Sequence, residues 1–179
     1  VESTGKSKRD QLDDSQIMDD INATVDFLVG HSSIDSDRIG VTGFCMGGRV
    51  TWLAAATNSA FKAAVPYYGG NILVPWGSAT EAPLAATSGM KCPVLFHFGE
   101  VDENPSQDDM LILDKKLSAN SIPHQFYTYP GAGHAFMNPA SPARYQRAAA
   151  EMSWPRTLDF FDKHLGLKRA AGNDEPACS

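Results

Sequence analysis

A chain of 179 residues is one domain's worth at roughly 100–200 residues per domain, which excludes large multidomain schemes. Hydrophobic residues at 42%, aromatics at 9% and charged residues at 20% are ordinary for a folded soluble protein, and exclude disorder, collagen and coiled coil. Fifteen basic against twenty-one acidic residues give a net charge of −6, a sign that repels phosphate backbones and anionic lipid heads, so no nucleic acid partner is expected.

In chain order, Ile17, Ile21, Val25 and Leu28 recur at steps of four, four and three, which predicts one amphipathic helix from Asp14 to Gly30. Arg38 to Phe44 reads as a strand, and it runs into the glycine-rich Gly43 to Gly48 and an alanine-rich helix over Met46 to Thr57. Ala63 to Tyr68 is a short apolar strand, with a long proline-, glycine- and serine-rich loop over Asn71 to Met90. Pro93 to Phe98 is a nearly continuous apolar run of the kind that parallel strands covered on both faces make. Met110, Leu113 and Leu117 keep helical spacing behind Ser106 and the negative Asp108 and Asp109, which suit a helix start. His124 to Tyr129 alternates as a strand, and Tyr145 to Leu165 reads as a helix with Trp154, Leu158, Phe161 and Leu165 on one side. Pro155 is expected to kink or restart that helix. Lys168 to Ser179 loses all periodicity and is expected to be a loose tail, like residues 1–13. Strands alternating with helices predict the α/β class, with βαβ units and a parallel sheet.

No apolar run approaches the ~20 residues of a membrane span, and Val1 to Asp14 is charged, so no membrane partner is expected. Three scattered cysteines, Cys45, Cys92 and Cys178, make no disulfide scaffold and fit a reducing compartment, with the cytoplasm as the default location.

Gly43-Phe44-Cys45-Met46-Gly47-Gly48 has the form G-x-C-x-G-G where a strand hands over to a helix, the setting of a nucleophile elbow. A side chain on such a turn sits on strained backbone, so Gly43 and Gly47, two residues to either side, are expected to be glycine for want of space. The turn puts Cys45 at a helix N-terminus, where backbone N–H groups and the helix dipole favour a thiolate or an oxyanion. The Met46 N–H is the first candidate oxyanion donor. The plain alternative is a buried structural cysteine, which is how free cysteines usually behave. Cys92 and Cys178 lack any comparable setting.

A thiol nucleophile needs a base. Among five histidines, His134 lies in a loop directly after the His124 to Tyr129 strand, at the sheet end where α/β sites form. His97 sits inside an apolar strand and reads as a satisfied core residue; His31 and His164 fall at helix C-termini, and His124 opens a strand and is expected to be exposed. The orienting carboxylate belongs on a loop between the two, and Asp102 in Gly99-Glu100-Val101-Asp102 fits, with Glu100, Glu103 and Asp108 as nearby competitors. The order nucleophile, acid, histidine is that of α/β hydrolases. Cys92 and His97, five apart on a strand, point to opposite faces, and no zinc spacing or phosphate-binding glycine loop is found, so neither metal nor nucleotide cofactor is expected.

The motifs G-F-C-M-G-G at 43–48, F-H-F-G-E-V-D at 96–102 and Y-P-G-A-G-H-A-F at 129–136 resemble those of the dienelactone hydrolase family of α/β hydrolases, over about Asp14 to Gly166. The resemblance implies a three-layer α/β-hydrolase fold, Cys45 as nucleophile, His134 as base, Asp102 as orienting acid, no cofactor, and a small cyclic or activated ester as substrate. Where that family tends to carry an arginine that grips a substrate carboxylate, this chain has Asn138. The resemblance also implies several strands ahead of the first helix, carrying the second oxyanion donor, so the expectation is an N-terminally truncated piece of such a domain. A non-catalytic binding module of the same fold, and a cysteine peptidase or thioesterase, remain the alternatives. Nothing in the residues addresses the oligomeric state.

Overall fold

A computed structural model describes residue 8 and residues 10–166; the expectations for the first residues, for the tail from Lys168 and for Cys178 lie outside the described residues. The elements run α1 (Asp14–Val29), β1 (Ile39–Phe44), α2 (Met46–Thr57), β2 (Phe61–Tyr67), a 3₁₀ segment (Pro83–Gly89), β3 (Val94–Gly99), α3 (Gln107–Ala119), β4 (His124–Tyr129) and α4 (Arg147–Leu165). The four strands form one parallel sheet in the order β1-β2-β3-β4, so each strand pairs with the one before it in the chain.

The sheet carries helices on both faces, in three layers. On one face Ile39, Ala64, Val94, Phe96 and Phe98 pack with Val25 of α1, Trp52 of α2 and Met110, Leu113 and Leu117 of α3. On the other, Val65, Tyr67, Leu95 and Tyr129 pack with Ala149, Phe160 and Phe161 of α4. All six residues of β3 are buried, as a strand covered on both faces requires. This is the predicted α/β sandwich. Between α1 and the outer side of β1 runs an apolar groove that includes Ile21, Val25, Leu28, Ile39 and Val41. Among the described residues no helix is long and apolar enough to cross a membrane.

The helix starts carry local signals. The Asp13 side chain accepts from the Ser15 N–H at the head of α1, and Ser106 and Asp109 form a reciprocal capping box on α3. The loop expected over Asn71 to Met90 is not wholly irregular, because Pro83 opens the 3₁₀ segment that packs on α2 and α3.

The closing helix departs most from expectation. It starts at Arg147 and runs through Pro155 as a single helix. Trp154 and Leu158 are exposed at 41% and 37%, whereas Ala149, Ala150, Ser153, Thr157 and Leu165 are buried. The buried stripe is small and polar because it covers a polar layer. The Tyr67 hydroxyl lies 2.6 Å from Thr157 Oγ1, His97 Nε2 lies 3.0 Å from the same oxygen, and the Tyr129 hydroxyl lies 2.8 Å from His97 Nδ1. His97 is fully buried and satisfied, as expected, and burial first, then the nearby Arg156 charge, press its pKa down to about 3. His124 is not exposed: its side chain keeps only 13% of its surface and its Nε2 lies 3.0 Å from Asp114 of the preceding helix.

A second polar pair is buried behind α2. Arg49 is fully buried and Asp14 nearly so, at 0% and 3%. The guanidinium donates to both carboxylate oxygens, at 2.5 and 2.9 Å, and to the carbonyls of Asn71 and Val74, and it lies 3.8 Å over the Trp76 ring. This pair pins the start of α1 and the loop after β2 onto the helix that follows Cys45.

Candidate active site

In a parallel sheet all C-terminal strand ends open on one edge, and there the chain emerges from β1 at Cys45, from β2 at Tyr68, from β3 towards Asp102 and from β4 towards His134. Cys45 has φ 57° and ψ −120°, in the left-handed half of backbone space that a non-glycine residue rarely adopts. Its carbonyl accepts from the N–H groups of Gly48 and Arg49, which starts α2 at the next residue. The side chain caps nothing and is exposed, with its sulfur over the helix N-terminus.

The glycine requirement is shifted by one from that expected. A Cβ on Gly43 would collide with the Gly47 backbone, but one on Gly47 would meet nothing within 4 Å beyond its own turn of helix. The crowded second position is Gly48, where a Cβ would lie 2.5 Å from the Tyr67 carbonyl oxygen and 2.9 Å from the Gly69 backbone. The turn needs its glycines where α2 crosses the end of β2, rather than at equal distances from the cysteine.

The acid and histidine loops are tied to each other by a backbone bond and by side chains. The Val101 N–H donates to the Ala132 carbonyl at 3.0 Å, the Gly131 N–H donates to Glu100 Oε2 at 2.8 Å, and the Gln146 amide donates to the Gly131 carbonyl at 2.6 Å. Gly99 is a glycine because the Ala132 carbonyl occupies the space of its missing Cβ. The result brings Cys45, Asp102 and His134 together. His134 Nε2 lies 3.0 Å from Cys45 Sγ, and His134 Nδ1 donates to Asp102 Oδ2 at 3.0 Å. Of the other carboxylates, Glu100 binds Gly131, Asp108 lies in the first turn of α3, and Glu103 lines the open side beside His134 with Val101.

The electrostatics follow from this geometry. The Asp102 side chain is 1% exposed and that of His134 31%, so the ion pair is shielded on the acid side. Hydrogen bonding to Asp102 first, and to Cys45 second, holds His134 up to about 10, against the desolvation that opposes charge. The hydrogen bond from His134 lowers the Cys45 thiol, and the Met46 backbone N–H lowers it further. Both shifts favour a thiolate facing an imidazolium. Cys92, by contrast, is buried beside its strand and burial pushes its thiol up to about 11.

Two neighbours escaped the sequence reading. Tyr68, 2% exposed and at φ +36°, sets its ring edge-on to His134 at 5.2 Å between centroids, and burial raises its phenol. Asn104 donates its backbone N–H to Asp102 Oδ1 at 2.9 Å. Tyr68 carried a faint signal, as a large residue jammed between a strand and two glycines; Asn104 carried none.

Residues 2–165 match the model of the dienelactone hydrolase family. Among curated relatives, the chain is 33% identical over 169 residues to "Carboxymethylenebutenolidase" of Rhodococcus opacus, covering 92% of this chain and 64% of the relative. It is 34% identical over 164 residues to "Probable 2-oxo-3-(5-oxofuran-2-ylidene)propanoate lactonase" of Bradyrhizobium sp, covering 88% and 63%. The crystal structure of a "Putative Dienelactone Hydrolase" from Klebsiella pneumoniae subsp. pneumoniae superposes with a TM-score of 0.76 at 33% identity, over 86% of this chain and 63% of that one. The chain thus spans less than two thirds of the length of each, and within that span it belongs to the dienelactone hydrolase family.

Proposed function

We propose that this chain hydrolyses a small lactone or activated carboxylic ester through Cys45, His134 and Asp102, with a thioester on the cysteine as the covalent intermediate. The observation that carries this reading is the contact of His134 Nε2 with Cys45 Sγ at 3.0 Å, made by a cysteine on a strained turn at a helix N-terminus. Names of relatives that cite a butenolidase and a lactonase support the substrate class.

The thiolate attacks the acyl carbonyl, and the carbonyl π pair moves onto oxygen, where the Met46 N–H donates to it. Collapse of the tetrahedral adduct breaks the C–O bond, and the departing alkoxide takes the proton held on His134 Nε2. His134, now neutral, removes a proton from water, which attacks the thioester; the carboxylic acid leaves and the thiolate–imidazolium pair is restored. Asp102 holds the imidazole in register and stabilises its charged form throughout. No cofactor enters any step. The described residues act as one domain in this reading, and a cytoplasmic setting keeps the exposed thiol reduced.

The test is intact-mass analysis of wild type and Cys45→Ala after mixing with p-nitrophenyl acetate, alongside release of p-nitrophenol. An acetyl adduct and turnover that both vanish in the variant are expected. A folded wild-type protein with neither would overturn hydrolysis and leave the non-catalytic module.

A further inference from the structure

We infer that Asn104 is a positioning residue for the Asp102 carboxylate, the far end of a latch that begins at buried Arg49. The inference rests on the reading of Cys45, His134 and Asp102 as one catalytic set. Asp102 has two carboxylate oxygens to place. Oδ2 faces His134 Nδ1 and Oδ1 receives the Asn104 N–H, so the carboxylate is held from both sides in one orientation. That N–H closes a local turn on the Asp102 side chain, and the Asn104 side chain ties this turn to the loop after β2.

Asn104 Oδ1 accepts the Asn71 N–H at 2.9 Å across the gap to the loop after β2. The fit is close: a Cβ on Gly70 would collide with that side-chain amide. Asn71 stands at φ +57° and turns its carbonyl the other way, to accept from Arg49 Nε at 3.1 Å. Arg49 is locked by Asp14, and its own N–H donates to the Cys45 carbonyl at 3.3 Å. The acid turn after β3 is thereby fastened to the nucleophile helix through the loop after β2, on the side opposite its ties to residues 131 and 132. Asn suits the post because it supplies an acceptor without adding a second negative charge beside His134.

Losing the Asn104 side chain frees the turn, loosens Asp102 Oδ1 and lets the carboxylate rotate away from His134. The imidazolium then loses its main support and the thiolate loses its counter-charge. The experiment uses Asn104→Ala, with Asn104→Asp as the variant that keeps an Oδ acceptor for Asn71. Two readouts are followed: the pH midpoint of Cys45 alkylation by iodoacetamide, and the downfield imidazole N–H resonance of His134, which reports the bond to Asp102. Asn104→Ala is expected to raise the midpoint by about one pH unit, a tenfold loss of thiolate below it, and to weaken the resonance. Asn104→Asp is expected to retain the resonance. Gly70→Ala, which drives a methyl group into the Asn104 amide, is expected to act like Asn104→Ala. An unchanged resonance and midpoint in Asn104→Ala, whatever happens to its melting temperature, would overturn the latch. A wild-type Cys45 that titrates as an ordinary thiol near ~8.5 while the His134 resonance still depends on Asn104 would retain the latch and remove the nucleophile reading instead.

Discussion

The buried Arg49–Asp14 pair should dominate the stability of the region behind α2, and a double-mutant cycle measures it. Arg49→Met removes two bonds to Asp14 and one each to Asn71 and Val74, and leaves the Asp14 carboxylate, 3% exposed, with the Trp76 N–H at 3.0 Å as its remaining support from the loop. Removing one partner of such a pair costs about 3–5 kcal/mol, chiefly for stranding the other charge. Native stabilities of ~5–15 kcal/mol make this a large share of the whole. Asp14→Leu strands the guanidinium instead, which keeps two carbonyl acceptors and the Trp76 face, so its cost should sit at the low end of that range. The double variant strands no charge, so it should lose less than the sum of the singles, with a coupling of about 2–3 kcal/mol. Urea unfolding followed by tryptophan fluorescence reads all four proteins. Costs of the two singles that add within about 0.5 kcal/mol in the double would refute the reasoning, since independent sites behave that way.

Three further outcomes follow from the structure. Gly48→Ala should destabilise by at least ~1–3 kcal/mol, because its methyl group meets the Tyr67 carbonyl, whereas Gly47→Ala should be neutral or gain up to ~1 kcal/mol of helix propensity; thermal melts of the two decide it. His97 stays neutral in the fold down to about 3 but protonates near 6.5 when unfolded, so stability should fall as pH drops from about 6.5 towards 3, by up to ~1.4 kcal/mol per pH unit. Urea midpoints across that window should show a shallower slope in His97→Gln. Pro155→Ala restores a backbone donor on the exposed side of α4, and should raise stability by up to ~3 kcal/mol in the same assay; no gain would mean that the helix has already absorbed the proline.

What could be read in the residues alone was whatever has a local cause. The elbow at Cys45 announces itself because a strained turn demands small neighbours, and β3 because a strand buried on both faces must be apolar throughout. His134 and Asp102 could be placed because each follows a strand in a parallel sheet, whose ends share one edge. The misreadings share a different origin. Trp154 and Leu158 share one helix side with Phe161 and Leu165 by spacing, yet the polar layer of Tyr67, His97 and Tyr129 requires Ser153 and Thr157 on the buried stripe instead. Arg49 looks like a surface charge on a helix, because its partner Asp14 lies thirty-five residues away in the chain. Gly48 rather than Gly47 is crowded because β2 passes there, and no periodicity in α2 records that crossing. Asn71 and Asn104 look like ordinary turn residues until their loops meet.

The sheet order has a temporal consequence. Since β1, β2, β3 and β4 of the described residues neighbour one another in the order in which they are made, β2, β3 and β4 each leave a ribosome with a partner strand already made. The contact between Cys45 and His134 comes later than the first three strands. A nascent chain carries Cys45 and Asp102 early, but Cys45 Sγ meets His134 only when β4 has docked and the loop at 130–134 has closed over Gly99. Until then the thiol is without the hydrogen bond that lowers it, so thiolate character at Cys45 rises with the docking of β4, and its alkylation serves as a clock for that step.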